Sequence, residues 1–373
     1  MKVLQLISSS GYYGAEAVMV SLTKHLNQLG IPSTVGVFEN AQHPNLEVAE
    51  VARQHGLPVE VVRCEGRADW SAVQAIRKFV RRERIDIIHT HGYKAHLYGY
   101  LAARVLPCSL IATCHGYHSF VPSRIARCRR QFYSSVERVL LQRFDQVVAV
   151  SSDLALFLRQ RGVRLEKLAV IENGVDLDQF GSAPPSADLK VAKAGRLAVG
   201  LVGRLTEGKG HAQFFDAARE FLLQHRETLL VVIGDGPLKQ PLETLARQLG
   251  IEASVVFTGK RSDMAEVYAA LDILVLPSLH EGMPMVILEA LAAKVAVVAT
   301  RVGAIPHVIL PRQTGLLVEP GDVFGLRDAI CQLLIDANLR RSLGEGGYRF
   351  VGEHLSASAM AGKYLNLYQT AVR

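Results

Sequence analysis

Twelve short apolar runs rich in β-branched residues recur along this chain, many of them separated by stretches of helix length. That rhythm constrains the fold more than any other feature. The first seven runs are Val3–Ile7, Thr34–Phe38, Val59–Val62, Asp86–His89, Leu110–Thr113, Gln146–Val150 and Leu168–Ile171. Between several of them lie segments such as Ala17–Leu29 and Ser71–Arg84 with helical length and pattern. Runs with little polar alternation suit parallel strands buried on both faces, and strand–helix alternation points to βαβ units in a doubly wound sheet.

The rhythm breaks once. Gly181-Ser-Ala-Pro-Pro-Ser-Ala187 has the composition of a linker, which places a boundary near residues 176–190. Five further runs follow: Ala198–Val202, Leu229–Ile233, Ser254–Thr258, Ile273–Pro277 and Ala296–Ala299. A chain of 373 residues is also too long for one ordinary core. The expected architecture is therefore two Rossmann-like α/β domains, residues 1–176 and 177–356, with a closing helix over 357–373 returning to the first. Open parallel sheets bind ligands beyond the carboxyl ends of their strands, so the expected site is a cleft between the halves.

Charge narrows the partner. The net charge is +7, and the first 180 residues hold 22 of the 42 basic and 16 of the 35 acidic residues, +6 of that excess. Arg124, Arg127, Arg129, Arg130, Arg138 and Arg143 face only Glu137 within one short segment. Five cysteines without a CxxC pair argue against a disulfide framework and for a reducing cytoplasm. The first residues are too polar for a secretory leader, and no segment reaches the roughly 20 clean apolar residues of a membrane span.

The stretch richest in chemistry is Leu279-His-Glu281-Gly282-Met283-Pro284-Met285-Val286-Ile-Leu-Glu289, directly after a strand. Pro284 suits the first turn of a helix, leaving amides around Met283, Met285 and Val286 at the positive end of the helix dipole. Glu281 before the helix and Glu289 within it could both face a ligand with hydroxyls at its ends and phosphate in its middle. Leu201-Val-Gly203-Arg204-Leu-Thr-Glu-Gly-Lys209-Gly210 follows another strand. It offers glycines for close backbone approach and two cations that suit a diphosphate, without P-loop spacing. Ser8-Ser-Ser-Gly11-Tyr-Tyr-Gly14-Ala-Glu16 forms a strand–glycine–helix junction that lacks the dinucleotide fingerprint. His115 ends a strand, where it can donate a hydrogen bond or relay a proton. The nearby His89, His91, His96 and His118 fit no metal template, so no metal is expected.

Taken in order, GYYGAE, CHG, VVAVS, VIENGVD, LVGRLTEGKG, VIGDGP, FTG, HEGMPMVILEA and TGLLVEPGD span residues 11 to 322. In this set and order the chain resembles retaining glycosyltransferases of the GT-B fold, of the family-4 type. The resemblance implies a nucleotide-diphosphate sugar as donor, with no cofactor. Glu281 would contact the donor sugar and Glu289 the ribose hydroxyls. Arg204 and Lys209 would hold the diphosphate, His115 would sit near the sugar and leaving phosphate, and Gly14 would approach the phosphates. Backbone near Gly259-Lys260 would hold the base. The family often carries Gly-x-Pro-Glu late in the donor domain; here Gly303-Ala-Ile-Pro306 is followed by His307, which takes no carboxylate role.

The implied reaction moves a sugar to an acceptor hydroxyl of a glycolipid, lipopolysaccharide or polysaccharide precursor. Phe120–Phe144 reads as a basic helix with Ile125, Phe132, Val136, Val139 and Leu140 on one face. Such a helix suits an anionic surface and a lipid-linked acceptor, with Arg124, Arg127, Arg129 and Arg130 as its contacts. The expected location is the cytoplasm, peripheral on the inner face of the membrane. Two other readings share the architecture: a nucleotide-sugar epimerase, which lacks the Glu-x7-Glu element, and a non-catalytic nucleotide-sugar-binding subunit. Nucleic-acid binding lacks a recognised module.

Overall fold

The computed structural model describes residues 1–41, 44–66, 69–116 and 135–372. The chain forms two compact units, Met1–Gly174 with Ala357–Arg373, and Val175–Ser356.

The first unit holds a seven-stranded sheet: β1 (Val3–Ile7), β2 (Ser33–Asn40), β3 (Val59–Cys64), β4 (Ile87–His91), β5 (Ser109–Cys114), β6 (Gln146–Ala149) and β7 (Leu168–Val170). Their order is β3-β2-β1-β4-β5-β6-β7, and every pairing is parallel. The second unit holds six parallel strands: β8 (Leu197–Val202), β9 (Thr228–Ile233), β10 (Val255–Gly259), β11 (Ile273–Leu276), β12 (Ala296–Thr300) and β13 (Leu316–Val318), in the order β10-β9-β8-β11-β12-β13. Each unit is Rossmann-like. The winding reverses beside the first strand of each sheet, between β1 and β4 in the first unit and between β8 and β11 in the second, and within each unit the loops after those two strands open onto a crevice of that unit.

The sequence supports this locally. β1, β4, β9, β11 and β12 are buried along their whole length, as sheets covered on both faces require. The helix His211–Leu222 covers β8 and β9 with Phe214, Phe215 and Phe221, all essentially inaccessible. Asp69, Ser151, Asp322 and Asp336 cap helices by accepting first-turn amides. The closing helix Ala357–Ala371 lies in the first unit, where Ser109 Oγ donates to the Ala371 carbonyl at 2.6 Å.

Three expectations need correction. The Gly181–Ala187 stretch is not where the chain changes units; that happens at Gly174–Val175. The stretch lies within the second unit, flanked by short helices, with the Ser186 amide bonded to the Glu266 carbonyl. β13 was not foreseen, because three residues between Pro311 and Pro320 carry too little pattern. In the basic segment, residues 135–141 are helical, but Val139 is exposed while Leu140 and Leu141 are buried, so the apolar face includes Leu141 and not Val139. Ile125, Phe132, His118, Arg124, Arg127, Arg129 and Arg130 lie outside the described residues. Among the described residues no helix is long and apolar enough to cross a membrane.

Candidate functional site

In the second unit, the loops after β8 and β11 meet at the point where the winding reverses. The Leu279 amide donates to the Gly208 carbonyl at 2.8 Å. Gly210 has φ +75°, and a Cβ there would stand 2.0 Å from the Pro277 carbonyl oxygen, so only glycine lets the two backbones approach. Lys209 Nζ donates to Glu281 Oε1 at 2.6 Å, and Ser278 Oγ donates to the same oxygen at 2.7 Å. The Glu281 side chain is only 10% exposed and that of Lys209 26%. A carboxylate so shielded is held by its cation and hydroxyl partners. Arg204 stands exposed on the same loop as Lys209, next to Gly203, whose amide donates to the Ile233 carbonyl.

The glycines of the β9 loop complete this frame. A Cβ on Gly234 would meet the Gly203 carbonyl oxygen at 1.9 Å, and the Gly234 amide donates to the Gly259 carbonyl at 2.9 Å. The ends of β8, β9 and β10 are thereby stitched side by side. Gly259 closes β10 with φ +71°, and Lys260 follows it, exposed.

Pro284 sits one step earlier than its sequence suggested. It is the N-cap of the helix Met285–Ala292 and supplies no side-chain cap to the first-turn amides. Met283 and Met285 are buried, and Gly282 accepts the Ala304 amide at 3.0 Å. Glu281 and Glu289 do not form a matched pair: Glu281 is held by Lys209, whereas Glu289 Oε2 accepts the Tyr268 hydroxyl at 2.8 Å. Burial pushes the Glu289 carboxyl up to about 7, partly offset by that hydrogen bond. His211, just after Gly210, is buried with neither ring nitrogen partnered among the described residues, and burial lowers it to about 4. His307 is exposed on the short helix Ile305–Val308.

Sequence reasoning missed Ser278 and Tyr268, and it read Gly303 only as the glycine of the Gly-x-Pro element. Gly303 has φ +52°, and its Cβ would lie 2.2 Å from the Glu281 carbonyl oxygen, so it fits the Glu281 loop into place. Ser278 and Tyr268 carry no motif; only the fold brings them to the carboxylates.

In the first unit, a pocket at the carboxyl ends of β1, β4 and β5 is lined by Ser8, Glu16, His91, Tyr93, His115 and Arg161, among others. Gly14 opens the helix Gly14–Gln28 at this edge, and Glu16 Oε2 accepts the Tyr13 amide at 3.1 Å. His115 Nε2 lies 2.9 Å from His91 Nδ1, and burial lowers His115 to about 4, so it is neutral near pH 7. His89, His91 and His96 are buried polar residues of the sheet and its flank. No group of three potential metal ligands occurs among the described residues.

Two family models match: Glycosyltransferase Family 4 over residues 12–179 and Glycosyl transferases group 1 over residues 190–350. The chain is 27% identical over 279 residues to UDP-Gal:alpha-D-GlcNAc-diphosphoundecaprenol alpha-1,3-galactosyltransferase of Escherichia coli, covering 72% of this chain and 71% of the relative. It is 27% identical over 314 residues to N-acetyl-alpha-D-glucosaminyl L-malate synthase of Bacillus anthracis, covering 82% and 80%. Anabaena HepE in complex with UDP-glucose has the same fold, with a TM-score of 0.85 at 23% identity over 99% of this chain and 100% of that one.

Proposed function

The chain belongs to the family-4 glycosyltransferases of the GT-B fold, and on that premise we propose that it moves a sugar from a nucleotide-diphosphate sugar to an acceptor hydroxyl with retention of configuration. The observation that carries the reading is the Lys209–Glu281 contact, which joins the loops after β8 and β11 where the second sheet reverses its winding.

In this reading the second unit holds the donor. Arg204 and Lys209 balance the diphosphate, and the first-turn amides of Met285 and Val286 add partial positive charge without reorganising. Glu281 accepts hydroxyls of the donor sugar and Glu289 those of the ribose. Backbone at Gly203, Gly259 and Lys260 receives the nucleoside, and Gly282 to Pro284 shape the sugar pocket. As the sugar–phosphate bond breaks, negative charge grows on the leaving diphosphate, and these groups stabilise it without a metal or a strong base. The first unit takes the acceptor. A lipid-linked acceptor agrees with the diphosphoundecaprenol in the Escherichia coli relative's name and with the arginines Arg124, Arg127, Arg129 and Arg130. The protein then works at the inner face of the cytoplasmic membrane.

A thermal-shift panel of UDP-, GDP- and ADP-sugars tests the donor. A nucleotide that binds the folded state raises the melting temperature, by RT ln(1 + [L]/Kd) in free energy. Lys209→Ala and Arg204→Ala should each lower kcat/KM by about 100-fold or more, as loss of a transition-state charge partner does; Lys209→Ala also leaves the shielded Glu281 without its cation, so its melting temperature should fall as well. Near-normal turnover in both variants refutes the assignment.

A further inference from the structure

We propose that Gln5 and His91 are positioning residues that fix the tautomer of His115, leaving its Nδ1 a bare acceptor that meets a ligand hydroxyl. This rests on the reading of His115 as a residue of the transfer site.

Gln5 is the one polar residue in the β1 run VLQLI and is fully buried. Its Oε1 lies 2.9 Å from His91 Nε2, and its Nε2 donates to the Tyr368 hydroxyl at 3.0 Å. The Tyr368 hydroxyl is 2.6 Å from His89 Nδ1, His89 Nε2 is 2.7 Å from Thr113 Oγ1, and Thr113 Oγ1 is 2.9 Å from the Tyr364 hydroxyl. With His91 Nδ1 at 2.9 Å from His115 Nε2, seven side chains form one unbroken chain from His115 to the closing helix.

An amide oxygen only accepts, so His91 Nε2 carries the proton that Gln5 receives. His91 Nδ1 is then bare and must accept from His115 Nε2–H, which leaves His115 Nδ1 without a proton. In the other direction, the Tyr368 hydroxyl accepts from the Gln5 amide and donates to His89 Nδ1, and His89 donates to Thr113. Burial holds His89 and His91 well below the usual imidazole range, so the chain consists of neutral rings. Turning the Gln5 amide over would reverse every bond and place a proton on His115 Nδ1. That nitrogen is buried without a partner among the described residues, and an orphaned N–H is costlier than an orphaned lone pair. The surplus proton falls instead to the Thr113–Tyr364 pair, whose hydroxyls can rotate. A group that meets Nδ1 must bring its own proton: a sugar hydroxyl qualifies, and a phosphate oxygen does not.

The test is a two-bond proton–nitrogen spectrum of the full-length protein labelled with 15N-histidine, with His115 assigned from its missing signals in His115→Asn. The expected wild-type pattern is protonated Nε2 and bare Nδ1. In Gln5→Leu, His91 Nε2–H loses its acceptor, so one N–H is orphaned in either state, on His91 Nε2 or on His115 Nδ1, and His115 should show both tautomers instead of one. Gln5→Glu restores the acceptor and the wild-type pattern. Turnover should fall about twofold or more in Gln5→Leu, in step with the fraction of His115 that is inverted, with the KM for donor within twofold, and should recover in Gln5→Glu. If Gln5→Leu does not fold, Tyr368→Phe releases the Gln5 amide and should give two His115 tautomers. A wild-type His115 protonated at Nδ1, or a tautomer indifferent to these substitutions, overturns the proposal. Should the tautomer respond while His115→Asn turns over normally, the role of His115 in transfer fails and the hydrogen-bond chain stands.

Discussion

Replacing Glu289 by Gln should stabilise the protein and weaken its grip on nucleotide. Glu289 accepts the Tyr268 hydroxyl, and burial raises its carboxyl from the ordinary 4.5 to about 7. A raised value means that the folded state holds the proton more tightly than the unfolded chain between those pH values. The resulting stability is complete below pH 4.5 and is lost as pH rises through 7. At about 1.4 kcal/mol per pH unit, keeping Glu289 ionised above pH 7 costs the fold at most about 3.5 kcal/mol. Glu289 keeps some contact with solvent, so a gain of about 1–2 kcal/mol is expected from Glu289→Gln at pH 8, or about 2–8 °C in melting temperature for a unit of this size. The amide oxygen of Gln still accepts from Tyr268. At pH 5 the gain should shrink below about 1 kcal/mol, because the wild-type carboxyl is then mostly protonated. If the carboxylate receives ribose hydroxyls, losing its charge removes a charged hydrogen bond worth about 1.5–3 kcal/mol, so Kd should rise about 10- to 100-fold. Thermal melts at pH 5 and pH 8, with calorimetric titration of whichever nucleotide shifts the melt, measure all three quantities. A Glu289→Gln protein no more stable than wild type at pH 8, or equally stabilised at both pH values, refutes the reasoning.

Other outcomes follow from the same geometry. Gly303→Ala must place a Cβ 2.2 Å from the Glu281 carbonyl oxygen at φ +52°. It should cost about 1–2 kcal/mol in conformation alone, and kcat/KM should fall further than the melt predicts, because the Glu281 loop must shift. His211→Leu removes a buried imidazole without ring partners among the described residues and should stabilise the protein by about 1–3 kcal/mol. His211 is lowered from 6.5 to about 4, so its penalty grows as pH falls from 6.5 toward 4, and denaturation midpoints should separate more at pH 5 than at pH 8. Flotation with anionic liposomes but not neutral ones is expected of the wild type and should weaken on neutralising Arg124, Arg127, Arg129 and Arg130; equal, negligible flotation with both removes the membrane reading.

What the sequence made legible was governed by local pattern. The sheets were readable because a strand covered on both faces must be apolar throughout, and VVAV or ILVL satisfies that condition without outside context. Pro284 was placed near a helix start because its ring fixes φ, while the choice between cap and first turn depends on ψ, which a sequence does not carry. Partners distant in sequence were invisible: Tyr268 and Glu289 stand 21 positions apart, Gln5 and His91 stand 86 apart, and no motif joins them. One signal was available. A glutamine in VLQLI and two histidines in IIHTH are polar residues in runs that must be buried, and buried polar groups need partners.

The pattern LVGRLTEGKG suggested backbone left bare for a ligand. In the structure, Gly210 faces the Pro277 carbonyl, Gly234 faces that of Gly203, and Gly303 faces that of Glu281. These positions first let strands and loops of the protein approach one another. That close approach holds Lys209 on Glu281 before any ligand arrives. A substitution at such a glycine is therefore felt in folding and in the site together. A substitution at Lys209 or Arg204 leaves that backbone approach in place and removes a charge the proposed transfer uses, so its ratio of lost activity to lost stability should exceed that of a glycine substitution.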